Sequence, residues 1–263
     1  MCHIYRNETS SATRIAGLKL KTYPSEKGVP SIEQLQNIIN NNENTSNPMT
    51  LICSENTHNY HGGAIIKPEF LKNIKLFAEK NELKFHLDGA RIYNAAIGLN
   101  VGVKELTKHV DSVMFCISKG LSCPVGSLVA GSKSFVSEAR KYRKMVGGGM
   151  RQAGIIASFG LVALEPSWIN RLKEDHKNAK TLAEGIERYD LPIEVSKPDT
   201  NIVVITVPQD TRIGKVVRSF GNEGVLAFNI DKRKIRFVTH YGISEDDIEY
   251  SIEKIGLVLN KLL

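Results

Sequence analysis

Three short stretches of this sequence set reactive polar side chains directly after apolar, strand-forming runs: Glu55-Asn56-Thr57-His58, Asp88-Gly89-Ala90-Arg91 and Ser118-Lys119-Gly120. In open α/β sheets ligands bind beyond the carboxyl ends of the strands, so the three clusters are expected to face one crevice. An amine and a carboxylate delivered there from different strands suit one chemistry in particular. The Lys119 amine can form a Schiff base with an aldehyde, and the Asp88 carboxylate can keep a heteroaromatic nitrogen protonated, so that the ring withdraws electrons from a bound substrate. That is what a pyridoxal phosphate enzyme requires. Taken singly, each group has an ordinary reading as well. Asp before Gly after a strand is a turn residue or helix cap, and Lys before Gly is a solvated side chain.

The elements that must position these residues alternate between strand and helix, which argues for an α/β unit with a mainly parallel sheet. Strands are expected at 50–53, 84–87 and 112–117, with 126–131 as partner of the last. Helices are expected at 31–40, at 68–81 with Pro68 in the first turn, and through Asn94 to Ile97. From 134 to 189 the pattern is almost wholly helical, broken at Gly147-Gly148-Gly149 and at Pro166, and the last helix there carries the charges of a solvent-facing side. After Pro192 the texture becomes strand, helix, strand, strand, helix, with Ser244 and three acidic residues opening the final helix. The chain is therefore read as a large α/β domain over 1–190 and a small α+β domain over 191–263, with a boundary near 187–197. The Asn40-Asn41-Asn42-Glu43-Asn44 run reads as a solvated loop.

Composition narrows the field. With 263 residues, 41% hydrophobic, 24% charged and 9 prolines, the chain is an ordinary globular protein and not a disordered or low-complexity one. No apolar stretch approaches membrane-spanning length, so no membrane role is expected. The net charge of +7 is spread along the chain without a basic block interleaved with aromatics, so no nucleic-acid partner is expected either. Cys2, Cys53, Cys116 and Cys123 show no C-x-x-C spacing. They read as buried free thiols of a cytoplasmic protein, with no metal site. The first residues do not form a secretory signal, and His3 stands so early, without a helix cap before it, that the chain reads as starting inside a structured region.

Longer strings carry a family resemblance. His86-Leu87-Asp88-Gly89-Ala90-Arg91-Ile92-Tyr93-Asn94-Ala95, Ser118-Lys119-Gly120-Leu121 with Pro124-Val125-Gly126-Ser127, and Arg143-Lys144-Met145 followed by Gly147-Gly148-Gly149-Met150-Arg151-Gln152 resemble the low-specificity L-threonine aldolases. Glu55-Asn56-Thr57-His58-Asn59 with Gly62-Gly63, and Arg236-Phe237-Val238-Thr239-His240, belong to the same pattern. The resemblance covers essentially the whole chain. It implies a pyridoxal phosphate enzyme of the aspartate aminotransferase fold type, fold type I, built as a homotetramer from dimers and cleaving L-threonine or L-allo-threonine to glycine and acetaldehyde.

By motif, the resemblance makes Lys119 the Schiff-base lysine, Asp88 the partner of the pyridine nitrogen and Arg91 a residue on the ring-oxygen side. His3 would stack on the ring, His58 would serve the substrate's β-hydroxyl directly or through water, and Arg236 would pair with the substrate carboxylate. Arg151 would help hold the phosphate, as that of a neighbouring subunit. Outside the family pattern His58 reads as a loop residue, Arg236 as a surface partner of Asp231, and Gly147 to Gly149 as a helix joint. His86, His109 and His240 read as structural. Two local strings stand apart from the pattern: Glu8-Thr9-Ser10-Ser11 replaces Glu-x-Gly-Gly, and Ser122-Cys123 replaces Gly-Ala before Pro124. The family's Ser-Asp-Thr segment and its phosphate-binding Thr-Gly-Thr-Gln-Ala-Asn loop do not occur, so the large domain reads as incomplete at its N-terminus. That leaves a catalytically silent fragment, and another pyridoxal phosphate reaction such as β-elimination or transamination, as alternatives.

Overall fold

Serines set ahead of apolar-periodic runs become helix caps in the computed structural model of the chain, which describes residues 2–8, 10–42 and 48–263. The expected Asn-rich loop falls partly outside the described residues, at Glu43 and Asn44, as does Thr9. Ser31 Oγ accepts the Gln34 N–H at 3.1 Å while Gln34 Oε1 accepts the Ser31 N–H at 2.9 Å. Such a reciprocal box contributes about 1 kcal/mol at a helix start. It opens α3 (Ile32–Asn40), which follows the short helices α1 (His3–Arg6) and α2 (Ser11–Arg14).

The first compact unit runs to Asn59 and resumes over Ile65–Ile169. Its sheet comprises β1 (Leu51–Glu55), β2 (Lys84–Asp88), β3 (Ser112–Cys116) and β4 (Ser127–Gly131) in that spatial order. The first three are parallel neighbours, and β4 returns antiparallel beside β3. Between β1 and β2 runs α4 (Pro68–Lys80); α5 (Ile92–Leu99) and α6 (Val103–Thr107) connect β2 to β3. Ile52, Phe85, Leu87 and Val113 of the strands bury against Leu71, Ile74 and Phe77 of α4 and Ile92 and Ala95 of α5. Each fully buried side chain of leucine or phenylalanine size contributes roughly 1.5–3 kcal/mol. Asp111 Oδ2 accepts both the Phe85 N–H and the Lys75 ammonium at 2.8 Å, tying α4 to the start of the sheet. After β4 come α7 (Lys133–Met145), α8 (Gly154–Ala163) and α9 (Pro166–Asn170), so Pro166 starts a helix where the sequence suggests only a break.

The second unit comprises Tyr60–Ala64 and Asn170–Leu263. It contains α10 (Leu172–Glu187), β5 (Glu194–Val195), β6 (Ile202–Thr206), α11 (Ile213–Asn222), β7 (Phe228–Asn229), β8 (Lys234–Val238) and α12 (Glu245–Leu262). All four strands pair antiparallel in the order β5-β6-β8-β7. By contacts the second unit resumes at Asn170, ahead of α10. The charged face that marks α10 as solvent-facing hides an apolar one: Ala179, Leu182 and Ile186 join Val203, Ile205, Ile235, Phe237, Phe220 and Leu259 in one core. Gly185 lets α10 approach α12, since a Cβ there would lie 2.2 Å from Ile252 Cδ1. The two-residue strand β5 is too short to carry a sequence signal. Among the described residues no helix is long and apolar enough to cross a membrane.

Candidate active site

Parallel pairing brings the carboxyl ends of β1, β2 and β3 to one edge of the first unit's sheet. Glu55 and Asp88, the last residues of β1 and β2, are register partners. From β3 the chain enters the β4 hairpin through Ile117, and Lys119 lies in that loop, exposed to solvent. Three backbone bonds shape the loop: Ile117 N–H to Gly126 O at 3.0 Å, Ser122 N–H to Lys119 O at 2.8 Å and Cys123 N–H to Ile117 O at 2.9 Å. Ser122 adopts φ +62° and Ser10 φ +58°. These two serines, noted as departures from glycine, therefore sit in the left-handed conformation that glycine adopts most cheaply.

Glu55 is the hub of the strand-end cluster. It is 2% exposed. Its Oε2 accepts the His3 N–H at 2.7 Å, and its Oε1 lies 3.2 Å from His3 Nδ1 and accepts the Asn59 N–H at 2.8 Å. Burial raises the carboxyl's pKa, but the His3 hydrogen bond, the His58 charge and the two backbone N–H groups outweigh it and bring it to about 2. His3 is therefore fixed at both its backbone and its ring. Asp88 behaves in the opposite sense: burial and the neighbouring Glu55 charge push its carboxyl up, against the Ala90 N–H, Lys119 and His3, which draw it down. Asp88, Lys119, His3 and Glu55 thus share one electrostatic neighbourhood.

His58 is fully buried. Its Nε2 lies 3.6 Å from Cys2 Sγ, and its ring is pressed against Gly28, where an added Cβ would sit 2.5 Å from Cδ2 on a backbone of φ +89°. The Cys2 thiol is pushed up to about 11 by burial and by the Glu55 charge, so it is protonated at neutral pH. Tyr23 donates its hydroxyl to Cys53 O at 2.7 Å, closing the outer side of β1.

The remaining candidates lie on other elements. Arg91 is the N-cap residue of α5, half-buried, three residues beyond Asp88. Arg151 is exposed in the connection between α7 and α8. Arg236 lies in the second unit on β8, opposite Val204 and Phe228. Burial lowers its pKa, yet a guanidinium remains charged. Asp231 is not placed as its surface partner in the way the sequence allows: its Oδ1 accepts the backbone N–H groups of Arg233 and Lys234. His86 Nδ1 meets Ser112 Oγ at 2.8 Å across the strands and His240 Nδ1 meets Tyr241 O at 2.8 Å, both structural uses. From the sequence, Gly28 has no role, Cys2 only that of a buried thiol, and Glu55 only a place in the strand-end cluster expected to face the crevice. Glu55 alone carried a signal, since it ends β1 as Asp88 ends β2.

An α/β sheet with a lysine and a carboxylate at its strand ends defines a class, and residues 1–210 match the beta-eliminating lyase family; the chain belongs to that family. A probable low-specificity L-threonine aldolase 2 of Arabidopsis thaliana is 38% identical over 254 residues, which cover 94% of this chain and 71% of the relative. The low specificity L-threonine aldolase of Escherichia coli (strain K12) is 38% identical over 200 residues, covering 75% of this chain and 57% of that enzyme. Among solved structures, a threonine aldolase of Leishmania major superposes with a TM-score of 0.79 at 19% identity, covering 98% of this chain and 75% of that one, which shows the shared fold.

The donor set fits the ring end of pyridoxal phosphate. Asp88 is a half-buried carboxylate whose charge is disfavoured by burial and by Glu55, so a cationic ring N–H is a partner that would stabilise it. Lys119 offers an accessible amine close enough to lower the Asp88 carboxyl, and His3 is held rigidly by Glu55 beside them.

Proposed function

We propose that the chain binds pyridoxal 5'-phosphate and cleaves L-threonine or L-allo-threonine to glycine and acetaldehyde. The observation that supports this most directly is the strand-end cluster, where His3 is bonded twice to Glu55 and both Lys119 and His3 draw down the Asp88 carboxyl that ends the neighbouring strand. When bound, the cofactor supplies an electron sink for the pair left on Cα as the Cα–Cβ bond breaks. Asp88 would hold the ring nitrogen in its protonated form, Lys119 would tether the cofactor through its Nζ, and Arg91 would sit on the ring-oxygen side. His3, kept in place by its two bonds to Glu55, would stack on the ring. His58 takes the proton from the β-hydroxyl oxygen, whose electrons become the carbonyl bond of acetaldehyde; a proton returned to Cα completes glycine. Arg236 grips the substrate carboxylate through its planar fork and so orients the scissile bond, and Arg151 serves the phosphate of a neighbouring subunit.

The same reading includes assembly as a dimer of dimers in the cytoplasm, with an amino acid as small-molecule partner. Support for assembly comes from the exposed apolar side chains of the α7–α8 region, including Met145 at 76% and Ile155 at 70%. A monomer seldom leaves so much apolar surface in water. The test is direct. The purified chain with pyridoxal phosphate should gain the visible absorbance of a lysine-bound cofactor and release acetaldehyde from either substrate, and Lys119→Ala should abolish both. Pyruvate or keto-acid formation without acetaldehyde would replace aldol cleavage by another pyridoxal reaction, and absence of any cofactor absorbance would defeat the proposal.

A further inference from the structure

We propose that Cys2, Glu55 and His58 form a site for a zinc-class divalent cation, and that filling it takes His58 out of use for aldol cleavage. One donor atom from each of the three residues lies within 4.8 Å of the other two. Tetrahedral zinc, with Zn–S about 2.3 Å and Zn–N about 2.0–2.1 Å, holds sulfur and nitrogen about 3.5 Å apart. Cys2 Sγ and His58 Nε2 are already 3.6 Å apart. The carboxylate must close a separation of at most 4.8 Å to about 3.4 Å, a side-chain adjustment.

The surroundings favour a cation over an accidental cluster. Glu55 is oriented by the His3 N–H, the His3 ring and the Asn59 N–H, and Oε2 keeps a second lone pair. The His58 ring is backed by Gly28, so both ligands are preorganised by neighbours of the kind that sharpen metal affinity. Thiolate with imidazole selects zinc, cobalt or cadmium over magnesium and calcium, and three protein ligands leave a fourth position for water. As the sulfur–metal bond forms, the Cys2 thiol proton leaves to solvent, and no electron transfer is involved. A metal-bound Nε2 can no longer accept the proton of a substrate hydroxyl. That second half rests on the function proposed above; the metal site itself does not.

Cobalt(II) is the probe, added to the cofactor-loaded chain. The expected result is the intense visible d–d absorption of tetrahedral cobalt at one ion per chain, displaced by zinc. It should persist in Cys53→Ser and weaken at least about tenfold in apparent affinity in Cys2→Ser, Cys2→Ala and His58→Gln. Zinc should also inhibit acetaldehyde release from the wild type, with recovery on adding a chelator, while Cys2→Ser retains activity and loses the zinc sensitivity. Weak octahedral cobalt absorption in the wild type, or a tetrahedral spectrum unchanged in Cys2→Ser and His58→Gln, overturns the site. A cobalt spectrum as expected in a chain that never cleaves threonine would uphold the site and defeat the function separately.

Discussion

Acid should loosen the first unit through Glu55 over the range in which the unfolded carboxyl takes up a proton and the folded one still refuses it. The folded carboxyl lies at about 2 against an ordinary 4.5. At about 1.4 kcal/mol per tenfold in proton affinity, that gap corresponds to about 3 kcal/mol of stability at neutral pH. The folded value is the depressed one, so the contribution is complete above roughly pH 5.5 and is lost as pH falls from the unfolded value towards the folded one. About half of it should remain near pH 3. Glu55→Gln removes the charge and turns an amide NH2 towards donors of His3 that now find a single acceptor. Urea unfolding followed by circular dichroism, wild type against Glu55→Gln, should differ by about 3 kcal/mol at pH 7, with the gap shrinking to about half near pH 3. A gap of the same size at both pH values, or one below about 1 kcal/mol at pH 7, refutes the reasoning, because the His3 and Asn59 bonds would then carry no net electrostatic stabilisation.

Gly28→Ala combines a left-handed backbone with a Cβ 2.5 Å from the His58 ring; it should cost about 1–2 kcal/mol in thermal or urea unfolding and lower kcat more than it raises KM. Ser122→Gly relieves φ +62° beside Lys119 and should stabilise the chain by about 0.5–1 kcal/mol, read as a raised urea midpoint. Asp88→Asn should keep the lysine-bound chromophore but reduce acetaldehyde release by on the order of a hundredfold or more. Arg236→Lys should raise KM for threonine about tenfold with a smaller change in kcat, since an ammonium replaces one fork of a bidentate pair.

Much of the architecture is legible in the sequence because local signals and global packing agree. The runs at 50–53, 84–87 and 112–117 become the three parallel strands, and the capped starts at Ser31 and Ser244 become α3 and α12. Asp88 and Lys119 stand out in the sequence because one ends a strand run and the other follows one closely, each with a residue type that buried strands exclude. What the sequence hides is what depends on contacts across long separations. His3 meeting Glu55 spans 52 positions and Cys2 meeting His58 spans 56; neither spacing has a period to betray it. The placement of α10 is hidden for another reason: its charged face dominates the pattern while its small apolar residues form the buried one. Arg151 shows the reverse, a long matching string that, in a single chain, leads only to an exposed loop.

The hairpin that carries Lys119 has a mechanical consequence. Its backbone is closed locally, by bonds spanning nine residues or fewer, between Ile117, Lys119, Ser122, Cys123 and Gly126. On the proposed role of Lys119 as the cofactor's tether, the travel it needs belongs to four methylenes on a locally closed backbone. Amide exchange at Ile117, Ser122 and Cys123 should accordingly be slow and indifferent to substrate, while the ammonium at the end of that side chain moves in solvent on the nanosecond scale. On that proposal, the motion linked to turnover should be confined to a single side chain, with the sheet behind it staying still.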